Sequence, residues 1–258
     1  MTKSQDINKI ANFLSQRDIP NLEVETLKSQ YGVTRFDVCV LFGGSIITGG
    51  NLFAQAIKNQ IAKHYVIVGG AGHTTPDLIK VVNELYPELD ITGMSEAEIF
   101  QRYIQHKYNV QADCLETKST NCGNNIDNLL SLLDVHKINL QTILMMQDST
   151  MMLRMTARMN KMAPNVLVTD FSTYQAEVEE VNGELQFTEK IPGMWSMEHY
   201  ISLLLGEISR LTDDENGYGP KGENFILHVD IPSDVDAAYK RLSLIYPNLI
   251  RTANPKFA

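Results

Sequence analysis

Asp37-Val38-Cys39-Val40-Leu41-Phe42-Gly43-Gly44-Ser45 is a short apolar run that ends on two glycines. A run of this length, with β-branched residues and a turn signal at its end, reads as a strand buried on both faces. The pattern recurs in Tyr65-Val66-Ile67-Val68-Gly69-Gly70-Ala71-Gly72-His73. Between the two, residues 51–63 carry Leu52, Ala56, Ile57 and Ile61 at helical spacing. Strand, helix, strand is a βαβ unit, and it predicts a mostly parallel sheet.

The rhythm extends in both directions. The first thirty residues read as two helices, with Ile7, Ile10, Ala11, Phe13 and Leu14 on one apolar face before the break at Pro20. Pro76 opens a helix in its first turn, where a missing N–H costs nothing. Ser95-Glu96-Ala97-Glu98 opens another. Residues 126–133 read as a helix, 142–147 as a strand, 151–162 as a helix and 166–168 as a strand. The fold class is therefore α/β, a Rossmann-like three-layer sandwich. After about residue 172 the pattern changes. Asn182-Gly183 signals a hairpin turn, a helix covers 195–211, Phe225–Val229 looks strand-like, and a last helix covers roughly 233–246. Residues 1–172 are thus expected to form a Rossmann-like ligand-binding domain. Residues 173–258 are expected to form a smaller, largely helical C-terminal subdomain packed on it.

Apolar residues make up 43% of the 258 and charged residues 21%, ordinary values for a globular chain. A net charge of −9 argues against a nucleic-acid surface, which needs a basic patch. No apolar run approaches a membrane span, and the start Met1-Thr2-Lys3-Ser4 lacks the apolar stretch of a signal peptide. A cytoplasmic protein with no membrane or nucleic-acid partner is expected. Cys39, Cys114 and Cys122 are far apart and show no metal-ligand spacing.

Glycine turns at the carboxyl ends of parallel strands can present amides to a ligand. Gly43, Gly44 and Ser45 form one such turn, and Gly69, Gly70 and Gly72 form the other. Tight turning alone would explain either, but two in successive βα units favour a ligand site. Neither matches a P-loop, which needs Gly-Lys-Ser/Thr, or a dinucleotide fingerprint. His73 in the second turn suits a general base or a carboxylate-binding donor, and equally a loop histidine bonded to backbone. Ser95 and Glu98 have the form of a capping box, which leaves Glu96 as the acid for a ligand amine or hydroxyl. Ser119-Thr120-Asn121-Cys122-Gly123-Asn124-Asn125 packs more hydrogen-bonding side chains than a cap at Asn121 requires. Ser119, Thr120, Asn121 and Asn125 are site candidates for that reason. Asp148 or Ser149 would cap the helix that follows, beside Thr150. Arg154 near that helix start opposes the dipole and calls for a compensating anion. Met151, Met155, Met159 and Met162 form a stripe that reads as core. Tyr218, in Gly217-Tyr218-Gly219-Pro220-Lys221-Gly222, could stack on a purine, although turn chemistry explains the segment by default.

Taken together, these segments resemble the YdcF-like branch of the ElyC/SanA/YdcF family. The pieces that carry the resemblance are Gly43-Gly44, Gly69-Gly70-x-Gly72-His73, Ser95-Glu96-Ala97-Glu98 and Ser119–Asn125. Gln147-Asp148-x-Thr150-Met151 with Arg154, Glu198-x-Tyr200-x-Ser202-Leu203-Leu204, and Asp213-Asp214 through Gly217-Tyr218-Gly219-Pro220 to His228-Val229-Asp230, complete it. The likeness runs along nearly the whole chain. Many family members carry histidine where Thr150 stands. The resemblance implies S-adenosylmethionine as ligand and a candidate transferase of unknown acceptor, although the GxGxG turn and downstream acid of ordinary methyltransferases are absent. If that ligand binds, charge matching sets its carboxylate against the glycine turns or Arg154, and its amine against Glu96 or Asp148. A hydrolase or transferase acting on a phosphorylated or nucleotide-activated envelope precursor is the alternative. A non-catalytic nucleoside sensor is a third reading, favoured by the lack of a nucleophile with a paired base.

Overall fold

The computed structural model describes residues 1–72 and 74–250, apart from the side chain of Cys122. Five parallel strands, β1 (Phe36–Phe42), β2 (Ala62–Val68), β3 (Cys114–Glu116), β4 (Thr142–Gln147) and β5 (Leu167–Ser172), lie in the order β3-β2-β1-β4-β5. Val40 pairs with Val66 on one side of β1 and with Met145 on the other. The chain lays strands outward from β1 in one direction, then returns and continues in the other. A right-handed crossover rule requires helices on opposite faces for the two halves, and the packing follows it.

The strand pleat divides the core. Cys39, Leu41 and Ile67 face α2 (Val24–Tyr31), α3 (Thr48–Lys58), α4 (Thr75–Leu85) and α5 (Glu96–Tyr108). Val38, Val40, Val66 and Val68 face α6 (Cys122–Val135) and α7 (Met152–Met162). Both faces are covered, which is why these strands read as continuous apolar runs rather than alternating ones. Met155 and Met159 are buried against the sheet, as their stripe predicts, whereas Met162 is exposed. α3 begins and ends earlier than its apolar spacing suggests. Asn59 closes it, Gln60 takes a positive φ of 54°, and Ile61 leads directly into β2.

A third cluster forms the smaller part. α8 (Met197–Leu211) and α9 (Ser233–Ile245) pack against α1 (Lys3–Leu14) and a hairpin of β6 (Val178–Val181) and β7 (Glu184–Phe187). Asn182 and Gly183, at φ 54° and 84°, make the expected turn. α1 supplies Ile7, Ile10 and Leu14 to this cluster, so the C-terminal core also uses the first helix of the chain. Asp6 and Arg241 tie α1 to α9 through bonds of 2.8 and 2.6 Å. Phe225–Val229 is not a strand. Leu227 N donates to the Ala157 carbonyl, and Phe225 and Ile226 both return to the Tyr218 carbonyl, so no neighbouring strand is available to it. Among the described residues no helix is long and apolar enough to cross a membrane.

Candidate functional site

The order reverses between β1 and β4, and ligands of open α/β sheets bind at the carboxyl ends of the strands at such a switch point. A cavity of about 450 Å³ opens there. Gly43, Gly69, Gly70, Gly72, Glu96, Ser119, Thr120, Asn121, Asn125, Asp148, Thr150, Arg154 and Tyr218 all line it. Gly44 and Ser45 do not, and Ser45 is buried with no partner for its hydroxyl among the described residues. His73 lies outside the described residues.

Four amides of the glycine turns are spent inside the protein. Gly43 N donates to the Val68 carbonyl at 2.7 Å, and Gly69 N to the Glu116 carbonyl at 2.9 Å; each extends a strand ladder by one rung. Gly70 N donates to Ser119 Oγ and Gly72 N to Thr75 Oγ1. The expectation that these four amides face an anion is therefore corrected. What the turns require is the absence of side chains. A Cβ on Gly70 would overlap the Ser119 carbonyl, and one on Gly69 would sit 3.0 Å from Glu96 Cβ. The carbonyls of Gly69 and Gly70 in turn accept from Ala97 N and Glu96 N, which satisfies two of the orphan amides at the start of α5.

That docking brings Glu96 into the site. The Ser95–Glu98 capping box forms as predicted, and Glu96 is buried beside it. Thr74 and Thr75 hydroxyls each donate to its Oε1 at 2.8 Å. Burial raises the carboxyl above its ordinary range, and the two hydroxyls only partly oppose the rise. Asp148 sits across the switch point at the end of β4. It does not cap α7, whose N-cap is Met151 with no side-chain bond, and neither does Ser149, which donates to the Tyr174 carbonyl. Asp148 Oδ1 instead accepts from the Thr150 amide and hydroxyl, at 2.8 and 2.7 Å, and from the Tyr174 hydroxyl at 2.9 Å. Burial raises its pKa too.

The Ser119–Asn125 segment is braced from within. Asn121 caps α6 and forms a reciprocal box with Asn124, Glu116 accepts from the amides of Lys118 and Ser119, and Ser119 Oγ receives Gly70 N. Structure accounts for more of its polarity than a single cap would. Thr120 and Asn125 remain as side chains that line the cavity with the fewest such duties.

Arg154 has the compensating acid that its place near the helix start demands. Its Nε and Nη2 donate to Glu207 at 2.6 and 3.0 Å, and both side chains are under a tenth exposed. Arg210 approaches the same carboxylate at 3.5 Å. Tyr218 is buried, with the guanidiniums of Arg154 and Arg210 each 5.9 Å from its ring centre.

Sequence reasoning missed the wall built by α8. Trp195, His199, Leu203, Glu207 and Arg210 line the cavity and recur at helical spacing. The signal was present: His199, Glu207 and Arg210 are polar on a helix whose other face, Tyr200, Leu204, Ile208 and Leu211, is apolar core, and Trp195 lies just before its start. The Trp195 and His199 rings lie 4.7 Å apart. Gln147 at the end of β4 was also missed as a site residue. Its Nε2 is buried with no partner among the described residues, and it lines the cavity.

A groove of about 500 Å³ runs between Lys3, Met197 and Tyr246, but none of the buried titratable groups lines it. Among the described residues no cluster of three or more His, Cys, Asp or Glu is placed to hold a metal ion. No protein-family model matches the chain.

Proposed function

We propose that the switch-point cavity binds S-adenosylmethionine or a closely related zwitterionic nucleoside, and that the chain is a YdcF-like member of the ElyC/SanA/YdcF family. One observation carries the reading: a single cavity has an acidic wall and a basic wall. Glu96 and Asp148 form the first; Thr74 and Thr75 hydroxyls donate to Glu96, and the Thr150 amide and the Thr150 and Tyr174 hydroxyls donate to Asp148. Arg154, Glu207 and Arg210 form the second. A ligand ammonium at the acidic wall restores the ionised carboxylates that burial disfavours. A ligand carboxylate reaches the arginine side, where two guanidiniums share one acid. Trp195 offers a flat surface to a purine. The volume of about 450 Å³ falls within the range of small-molecule sites. This reading makes the protein a cytoplasmic nucleoside binder and a candidate transferase whose acceptor is unnamed.

Thermal shift and calorimetry with S-adenosylmethionine, its demethylated product, ATP and NAD test it. A ligand held only by the folded state stabilises by about 2.7 kcal/mol at one hundred times its dissociation constant. Asn125→Ala, at a side chain with no bracing bond among the described residues, should remove most of the shift and leave the fold intact. No shift with any adenosyl ligand refutes the reading.

A further inference from the structure

The hairpin leaves one strand edge open. Its two-residue turn, with positive φ at Asn182 and Gly183, makes Val181 and Glu184 a hydrogen-bonded pair. Alternation along an antiparallel ladder makes Glu179 and Gln186 the next such pair. Glu177 and Thr188 follow, and the Thr188 amide donates to the Glu177 carbonyl at 2.9 Å. Val178, Glu180, Leu185 and Phe187 therefore turn their N–H and C=O groups outward. On β6 the Asn8 side chain takes both groups of Val178, at 2.8 Å each. On β7 no hydrogen bond among the described residues reaches the main chain of Leu185 or Phe187. The Phe187 ring lies 5.2 Å from that of Tyr200, which holds this open edge against α8.

Leu185 also lines the groove of about 500 Å³ at the tip of the hairpin. Met197, Ile201, Tyr246 and Leu249 give the groove apolar walls, and its lining acids Glu184 and Glu198 face one lining cation, Lys3. The hairpin itself is acidic. Glu177, Glu179, Glu180, Glu184 and Glu189 are exposed, and no lysine or arginine lies between Gln175 and Glu189. A second copy pairing edge to edge would set these acids against one another, which disfavours self-association there.

We propose that β7 and the groove form a docking surface for an extended segment of a partner protein, apolar at alternate positions and basic between them. Strand addition supplies the main-chain bonds, and the groove takes the side chains. The residue opposite Leu185 would exchange both bonds with it and set its side chain beside Leu185, on the face of the groove. The intervening residues fall on the face that carries Glu179 and Glu184, where lysine or arginine meets the acids. The inference does not depend on what the switch-point cavity binds.

The test uses the full chain and a short blocked peptide that alternates lysine with leucine. The same peptide with glutamate in place of lysine is the control. Fluorescence anisotropy should show saturable binding of the lysine peptide alone, weakened by salt. Amide exchange at Leu185 and Phe187 should be fast in the free chain and slow with the peptide bound. Leu185→Pro removes an outward N–H without touching a ladder bond and should abolish binding. Glu184→Lys, at an exposed side chain, should weaken binding about tenfold and keeps the test valid if the proline variant fails to fold. No saturable binding, equal binding of the glutamate peptide, or binding unchanged in Glu184→Lys each overturns the proposal. Slow exchange at Leu185 and Phe187 in the free chain overturns it too. Protection that grows with protein concentration would assign the edge to a second copy, and protection independent of concentration to a segment of the same chain.

Discussion

Glu207 is the acid on which the basic wall of the cavity depends. It is 3% exposed and lies against two guanidiniums. Glu207→Leu fills a similar volume but removes the carboxylate that Arg154 and Arg210 share beside Tyr218. Removing one partner of a buried pair costs about 3–5 kcal/mol, because the other charge stays buried and unpaired. At about 2–4 °C per kcal/mol for a chain of this size, the melting temperature should fall by roughly 6–20 °C. Arg154→Met should cost less, since Arg210 remains 3.5 Å from the carboxylate to pair with it. The double variant should lose less than the sum of the two, because neither partner is then left facing the other's absence. Urea unfolding followed by circular dichroism measures all three. A Glu207→Leu protein within about 0.5 kcal/mol of the parent, the range of neutral surface changes, would refute the claim that this pair holds the wall together.

Other expectations follow from the same geometry. Asp170 is buried on β5, with Thr156 as hydroxyl donor and Asp18 nearby, and burial lifts its carboxyl from 3.8 to about 7. The folded state then keeps a proton that the unfolded chain has released. This residue therefore subtracts stability as pH rises from about 4 to about 7, by up to roughly 4 kcal/mol. The stability of Asp170→Asn relative to the parent should accordingly rise between pH 5 and pH 8 in urea titrations; a pH-independent difference contradicts it. Gly70→Ala should destabilise by at least about 1–3 kcal/mol through overlap with the Ser119 carbonyl. Gly44→Ala meets nothing within 4 Å and should leave thermal stability unchanged. If the adenosyl reading holds, affinity should increase with pH as Glu96 and Asp148 ionise, since burial raises both. Calorimetry across pH should show that slope reduced in Glu96→Gln.

The layered fold was legible because β1, β2 and β4 are buried on both faces and so appear as uninterrupted apolar runs. β3 was not, since three residues, Cys114–Glu116, are too few to show a period. The strand-like look of Phe225–Val229 misled for a related reason: apolar residues there pack into the C-terminal cluster from a loop whose amides go to Tyr218 and Ala157. Gly43, Gly69, Gly70 and Gly72 line the switch-point cavity, but the amides of these four glycines are bonded within the protein. Glycine composition cannot separate a turn that offers N–H groups from one that lets a helix start approach closely. Arg154 announced its need for an acid by its position in the helix. Nothing local named Glu207, which lies on a helix 53 residues away.

Trp195 is the only tryptophan in the chain, and it lines the cavity beside His199. Its emission is therefore a direct report on that space. Titration with S-adenosylmethionine should produce a saturable change in Trp195 fluorescence, lost in Asn125→Ala and absent with NAD. An unchanged spectrum, with no calorimetric heat for any adenosyl ligand, would contradict the assignment of the switch-point cavity to a zwitterionic nucleoside.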